Sequence, residues 1–146
     1  MIVREAMVTS PVTIEPSAQV FEAARLMRDK QIGSVIVVEN GKVLGIATER
    51  DLIRRVMATN RDPKKVKISE VMTAPVISIS PNEDVIEAAQ LMSKKGVRRL
   101  VVMDKEMLIG VITTNDLSKN MTRAVEELAT SLYLIESSRL KRESSS

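Results

Sequence analysis

The sequence predicts an α+β fold in which two βαββα units pack about a pseudo-twofold axis and a C-terminal helix follows. Three observations carry this reading. The stretch Gly45-Ile46-Ala47-Thr48-Glu49-Arg50-Asp51-Leu52 returns 65 positions later as Gly110-Val111-Ile112-Thr113-Thr114-Asn115-Asp116-Leu117, so the 146 residues hold two copies of one unit. Within each copy the apolar pattern alternates between helical spacing and short β-rich runs. After the second copy, Met121, Val125, Leu128, Leu132 and Ile135 fall 4, 3, 4 and 3 apart, the a/d seam of an amphipathic helix. A small sheet with helices on one side leaves apolar surface bare, and packing the copies on each other covers it. The expected boundaries are 1–58 for the first unit, 59–66 for a polar basic linker, 67–121 for the second unit and 122–146 for the helix and tail. Residues 144–146 are expected to fray.

Each unit opens on a short lead-in that ends at a proline, Pro11 or Pro75, after which Val12-Thr13-Ile14 and Val76-Ile77-Ser78-Ile79 can form a brief strand. Helix starts are expected at Pro16 and Pro81, since proline suits the first turn, and Ser80-Pro81-Asn82-Glu83 reads as a capping box. The helices carry Val20, Ala23, Ala24, Met27 and Val85, Ala88, Ala89, Met92, both sets at i, i+3, i+4, i+7. The paired alanines let a helix sit close on a sheet, and the methionines fill the core. Gly33 and Gly96 fit C-cap positions. Ser34-Val35-Ile36-Val37-Val38-Glu39 and Arg99-Leu100-Val101-Val102-Met103-Asp104 have the length and β-branched content of buried strands. Asn40-Gly41 is a strong hairpin signal, whereas Lys105-Glu106 is a poor turn pair. A second helix follows from about Arg50 to Ala58.

Composition removes several function classes. The chain has no Cys and no His, which excludes disulfides, thiolate or imidazole metal sites and Ser-His or Cys-His catalysis. With one Phe, one Tyr and no Trp, a site cannot rely on aromatic stacking of bases, which argues against single-stranded nucleic acid. The net charge of +3, from 22 basic and 19 acidic residues, favours small anions without forming a nucleic-acid footprint. No leader-like segment opens the sequence and no run approaches 18 apolar residues, so a cytoplasmic protein with no membrane partner is expected.

The repeated Thr-x-x-Asp carries the chemistry. It places a hydroxyl and a carboxylate where a strand gives way to a helix, beside unpaired backbone N–H groups and the positive end of the helix dipole, an arrangement suited to phosphate. A nearby Asp can accept both hydroxyls of a ribose. The same spacing is also that of a capping box, in which both side chains serve the helix's own amides. Duplication copies caps as faithfully as sites, and both readings stand at this point.

The lead-in Met72-Thr73-Ala74-Pro75-Val76, the helix pattern Pro-x-x-x-Val-x-Glu-Ala-Ala-x-Leu-Met in both copies, the hairpin and the closing Gly-h-x-Thr-x-x-Asp together resemble the cystathionine β-synthase (CBS) domain in tandem, the Bateman module. The resemblance covers about residues 1–121. It implies two repeats packed through their sheets and two clefts that take adenosine derivatives, AMP, ADP, ATP or S-adenosylmethionine, as ligands and with no cofactor. By that resemblance Asp51 and Asp116 bind ribose hydroxyls, Thr48 and Thr113 meet phosphate, and Gly45 opens the signature. Thr13 and Ile14, with Ile77 and Ser78, line the adenine slots. Val97-Arg98-Arg99-Leu100-Val101-Val102 is similar to the Ile-His-Arg-Leu-Val-Val run of AMP-activated kinase regulatory subunits, which implies that Arg98 and Arg99 reach phosphates in the Asp51 cleft.

The copies differ at one informative place. Gly33-Ser34 stands where the second copy has Arg98-Arg99, and Asn115 stands where the first has Arg50. The Asp51 cleft would then gather three arginines and be the tighter for nucleotides, because charge-assisted contacts to phosphate are about twice as strong as neutral ones. The leading expectation is a non-enzymatic regulatory module, a homodimer or a partner of an effector protein. The alternatives are an interaction scaffold built on the a/d seam, with non-functional clefts, and a nucleic-acid binder using Arg54, Arg55, Arg61, Lys64, Lys65 and Lys67.

Overall fold

One β-hairpin forms the centre of each half, and the two match in geometry. The computed structural model describes residues 1–144. In the first half, β2 (Thr13–Ile14) runs parallel to β3 (Ser34–Glu39), which pairs antiparallel with β4 (Lys42–Thr48). In the second, β5 (Ser78–Ile79) runs parallel to β6 (Arg99–Asp104), which pairs antiparallel with β7 (Met107–Thr113). Helices α2 (Val20–Lys30) and α4 (Val85–Lys95) bury Ala23 and Ala88 completely, as close helix-on-sheet packing requires. Ile36, Val101 and Val111 form a cluster shared by both sheets, so the halves meet face to face. Asn40 and Gly41 both take positive φ in the first hairpin, and Lys105 takes it in the second.

The lead-ins do not stay with the units they precede. The first contains α1 (Val3–Ala6) and β1 (Val8–Thr9), and β1 pairs with β7, joining Val8 to Val111 and Thr9 to Gly110. Val3 and Ala6 are buried with Ile79, Leu100, Val102 and Ile112 of the second half. Reciprocally, Val66, Ile68 and Val71 are buried with Ile14, Val35, Val37 and Ala47 of the first half. Thr73 exchanges backbone hydrogen bonds with Ile46 at 2.8 and 3.0 Å. The sheets therefore run β1-β7-β6-β5 and β2-β3-β4. Both strand glycines mark the crossings. A Cβ on Gly45 would lie 2.8 Å from the Thr73 carbonyl oxygen, and one on Gly110 would lie 2.7 Å from that of Val8.

This exchange moves the expected helix starts. Pro16 and Pro81 precede the helices by one turn, because their carbonyls accept from Ser69 and Arg4 of the crossing lead-ins. Helix α2 begins at Val20, whose N–H donates to Val66, and α4 at Val85, whose N–H donates to Met1. The Ser80–Glu83 capping box does not form. Ser80 Oγ accepts from Asn82 N–H in a local turn, and Asp84 caps α4 through Ile86 N–H at 2.8 Å. At the far ends Gly96 takes the left-handed C-cap as expected, but Gln31 does so for α2 in place of Gly33.

The closing helices differ between halves. α3 (Glu49–Leu52) continues into a π-turn over Ile53–Met57 and stops after Ala58. Its counterpart α5 (Thr114–Ser144) is one continuous helix of 31 residues, where a short helix and a separate tail helix were expected. No Gly or Pro interrupts it. The expected fraying does not reach Ser144, and Ser145 and Ser146 lie outside the described residues. The seam residues of α5 are exposed, so the helix does not fold back on the body.

Candidate functional site

At the β4–α3 junction Thr48 and Asp51 form a complete capping box. Thr48 Oγ1 accepts from Asp51 N–H at 3.2 Å, while Asp51 Oδ2 accepts from Thr48 N–H at 2.9 Å and from the Thr48 hydroxyl at 3.1 Å. Thr113 and Asp116 repeat these contacts, in the same order, at 3.2, 2.9 and 3.0 Å. The capping reading is therefore correct, and it does not displace the other. Each cap uses one carboxylate oxygen, Oδ2. Asp51 Oδ1 accepts from the Thr73 hydroxyl at 3.2 Å, and Arg55 Nε lies 3.9 Å from it. Thr73 arrives here only because the second lead-in crosses into the first half. At the pseudo-equivalent place the first lead-in offers Val8, which has no hydroxyl.

A cleft of about 690 Å³ opens over this junction. The first half contributes Thr48, Arg50, Asp51 and Arg54, the crossing lead-in contributes Thr73, and the second half contributes Arg98, just before β6, and Arg99, its first residue. Four arginines thus face one cavity against two carboxylates, those of Glu49 and Asp51. The volume lies within the range of small-molecule sites. Arg99 reaches across to the first half, where its guanidinium lies over Gly33. A Cβ at position 33 would collide with Arg99 Nη2 and stand 2.7 Å from Glu49 Oε1. Gly33 is thus small because Arg99 is large, and the two asymmetric positions of the repeat are one physical feature.

The remaining expected residues fall in different places. Thr113, Asn115 and Asp116 sit together at the β7–α5 junction. Thr13 is exposed and Ile14 is buried in the first core; Ile77 is half-buried and Ser78 exposed, and none of the four lines the 690 Å³ cleft. Gly45 lies beneath Met72 and Thr73 and admits the crossing chain. Arg54 and Thr73 went unread as cleft residues. Arg54 was legible as i+4 from Arg50 on the helix face that carries Asp51, whereas no local pattern places Thr73 opposite a carboxylate 22 residues away. Much of the basic set suggested for nucleic acid is engaged elsewhere. Arg55 donates to the Val71 and Met72 carbonyls, Arg61 pairs with Glu70 at 3.0 Å, and Lys64 lies 5.1 Å from the centroid of the Phe21 ring. The Lys67 N–H and then Arg61 hold the Glu70 carboxyl below the usual carboxylate range.

The family model described as the CBS domain matches twice, over residues 3–58 and 68–123. The chain belongs to the CBS-domain family. It is a tandem CBS pair, a module that is typically regulatory. Among its relatives is the CBS domain-containing protein YhcV of Bacillus subtilis, 36% identical over 118 residues, which cover 81% of this chain and 84% of YhcV. An uncharacterised protein of Methanopyrus kandleri is 40% identical over 108 residues, 73% of this chain and 55% of that protein, so this chain spans about half the length of that relative. Among solved structures, the hexameric CBS-CP12 protein from bloom-forming cyanobacteria superposes with a TM-score of 0.74 at 32% identity, over 80% of this chain and 69% of its own. No helix among the described residues is long and apolar enough to cross a membrane.

Proposed function

We propose that this CBS pair is a ligand-sensing regulatory module that binds adenosine derivatives, with the Asp51 cleft the tighter of two unequal sites. The observation that carries this reading is the convergence of Arg50, Arg54, Arg98 and Arg99 on the cleft that holds the Thr48–Asp51 box. Asp51 accepts ribose hydroxyls through Oδ1, displacing Thr73. Thr48 and the arginines hold phosphate, Arg98 and Arg99 closing from the other half. The positive cleft favours AMP, ADP or ATP over the sulfonium of S-adenosylmethionine, because charge-assisted bonds need an anion. The Asp116 site, with Asn115 and Gly33-Ser34 at the matching positions, is weaker. No covalent step is involved; the lever is differential affinity for two conformations. Output passes to an effector protein or to the chain's own oligomer, as the hexameric assembly of the CBS-CP12 relative supports.

The test is calorimetric titration of AMP, ADP, ATP, S-adenosylmethionine and GTP into wild type, Asp51→Asn and Asp116→Asn. Asparagine keeps an acceptor for the Thr48 or Thr113 N–H, so these variants remove the charge while retaining the cap; alanine would remove both. Adenine nucleotides are expected to bind wild type, and Asp51→Asn to abolish the tighter phase while Asp116→Asn leaves it. Absence of binding at millimolar concentration defeats the reading. One observation favours a second reading, a scaffold with idle clefts: the exposed apolar seam of α5.

A further inference from the structure

We infer that α5 is a self-assembly helix whose partner is α5 of a second copy, lying antiparallel. Met121, Val125, Leu128, Leu132 and Ile135 form one stripe along it, each between 55% and 65% exposed in the single chain. An apolar stripe of this length on a solvent-facing helix marks an interface. At its base the stripe runs into an apolar groove of about 540 Å³ between α4 and α5, walled by Ala89 and Met92 on one side and Leu117 and Met121 on the other.

The charge pattern selects the occupant. Continuing the 4-3 spacing beyond Ile135 brings Arg139 and Arg142 into the stripe. In a parallel homodimer equivalent seam positions face each other, so Arg142 would meet its own copy, as would Arg139 with the Glu136 it pairs with on the same helix at 3.1 Å. In an antiparallel pair with Leu128 against Leu132 of the second copy, Val125 faces Ile135 and Met121 faces Arg139. No like charges then meet, and the methionine covers the aliphatic stem of the arginine. Ala129 and Ser131 lie on either side of the twofold axis, small enough for the helices to approach. Thr122, Ala129 and Ser131 put no charge beside the stripe, where a heterologous coiled-coil partner would be selected, and the one flanking carboxylate on this stretch, Glu136, pairs with Arg139 of its own helix at 3.1 Å. The patch is self-complementary, as an isologous contact requires.

Sedimentation equilibrium of the full chain against Leu128→Asp tests the surface. Wild type is expected to dimerise, and the substitution to raise the dissociation constant more than about 30-fold, the effect of losing one strong hot spot. Leu128 is exposed in the single chain, so the body stays folded, which circular dichroism checks. Orientation is read from a nitroxide on Ser138→Cys, the chain having no other cysteine. The antiparallel register sets the two labels about 24 Å apart along the helix axis, and a parallel one sets them side by side. A monomeric wild type, a dimer indifferent to Leu128→Asp, or side-by-side labels would each overturn the proposal.

Discussion

Gly33 and Arg99 show how one residue can make two halves of a duplicated chain unequal. The guanidinium of Arg99 occupies the space that any side chain at position 33 would need, with Glu49 closing the other side. Gly33→Ala adds no backbone strain, because Gly33 is not at positive φ. The flexible ends of Arg99 and Glu49 must move instead. Stability should change by less than about 0.5 kcal/mol, as for surface substitutions generally, while the affinity of the Asp51 cleft for ATP falls roughly tenfold through the loss of one placed charge-assisted contact. Urea denaturation and calorimetry on the same protein separate the two effects; unchanged affinity would show that Arg99 is not a phosphate ligand. Thr73 makes the complementary case. Thr73→Val copies what Val8 already does in the other half and removes the donor to Asp51 Oδ1. Stability should fall by about 1 kcal/mol, the net worth of one such bond, read as a shift in the urea midpoint at unchanged slope.

At the scale of elements, the crossing lead-ins explain features that neither copy explains alone. Gly45 and Gly110 interrupt largely apolar strands because another chain segment passes over each within contact distance of its backbone. Gly45→Ala would press a methyl against the Thr73 carbonyl, a backbone atom that cannot rotate away. It should cost about 2 kcal/mol, in the range of overpacked cores. A melting temperature equal to that of wild type would mean that the lead-in is loosely held. This is also where the sequence stopped being informative. The hairpins, the alanine-faced helices and the Thr-x-x-Asp boxes are set by residues within a few positions of each other, and all were legible. The pairing of Val8 with Val111 joins residues about a hundred positions apart and depends on which half buries Val3 and Ile68, for which local periodicity holds no signal. Local pattern does not set the helix starts for the same reason, since the carbonyls of Pro16 and Pro81 are claimed by lead-in residues from the other half. The continuity of α5 was legible in the absence of Gly and Pro, and was obscured by expecting the second copy to end where the first does.

For the whole molecule, exchange of lead-ins means that neither sequence repeat contains its own core. The first cluster takes Val66, Ile68 and Val71 from beyond the first repeat, and the second takes Val3 and Ala6 from before the first strand. A fragment cut within the linker, residues 1–65, lacks three buried side chains, carries Val3 and Ala6 with nothing to cover, and leaves the Val20 N–H without its Val66 acceptor. A fragment of residues 12–73 is of similar length but holds every buried member of the first cluster, from Ile14 to Val71. A unit of about 60 residues is marginal at best, so the comparison of the two is what informs. Residues 12–73 should show more helical circular dichroism and a higher urea midpoint than residues 1–65, and the intact chain should unfold in one transition seen alike by circular dichroism and calorimetry. If 1–65 folds as well as 12–73, the crossing segments cover the cores without completing them. The two halves would then be free to move apart, and a ligand in the Asp51 cleft, held from both sides by Asp51 and Arg98, would have to do the joining itself.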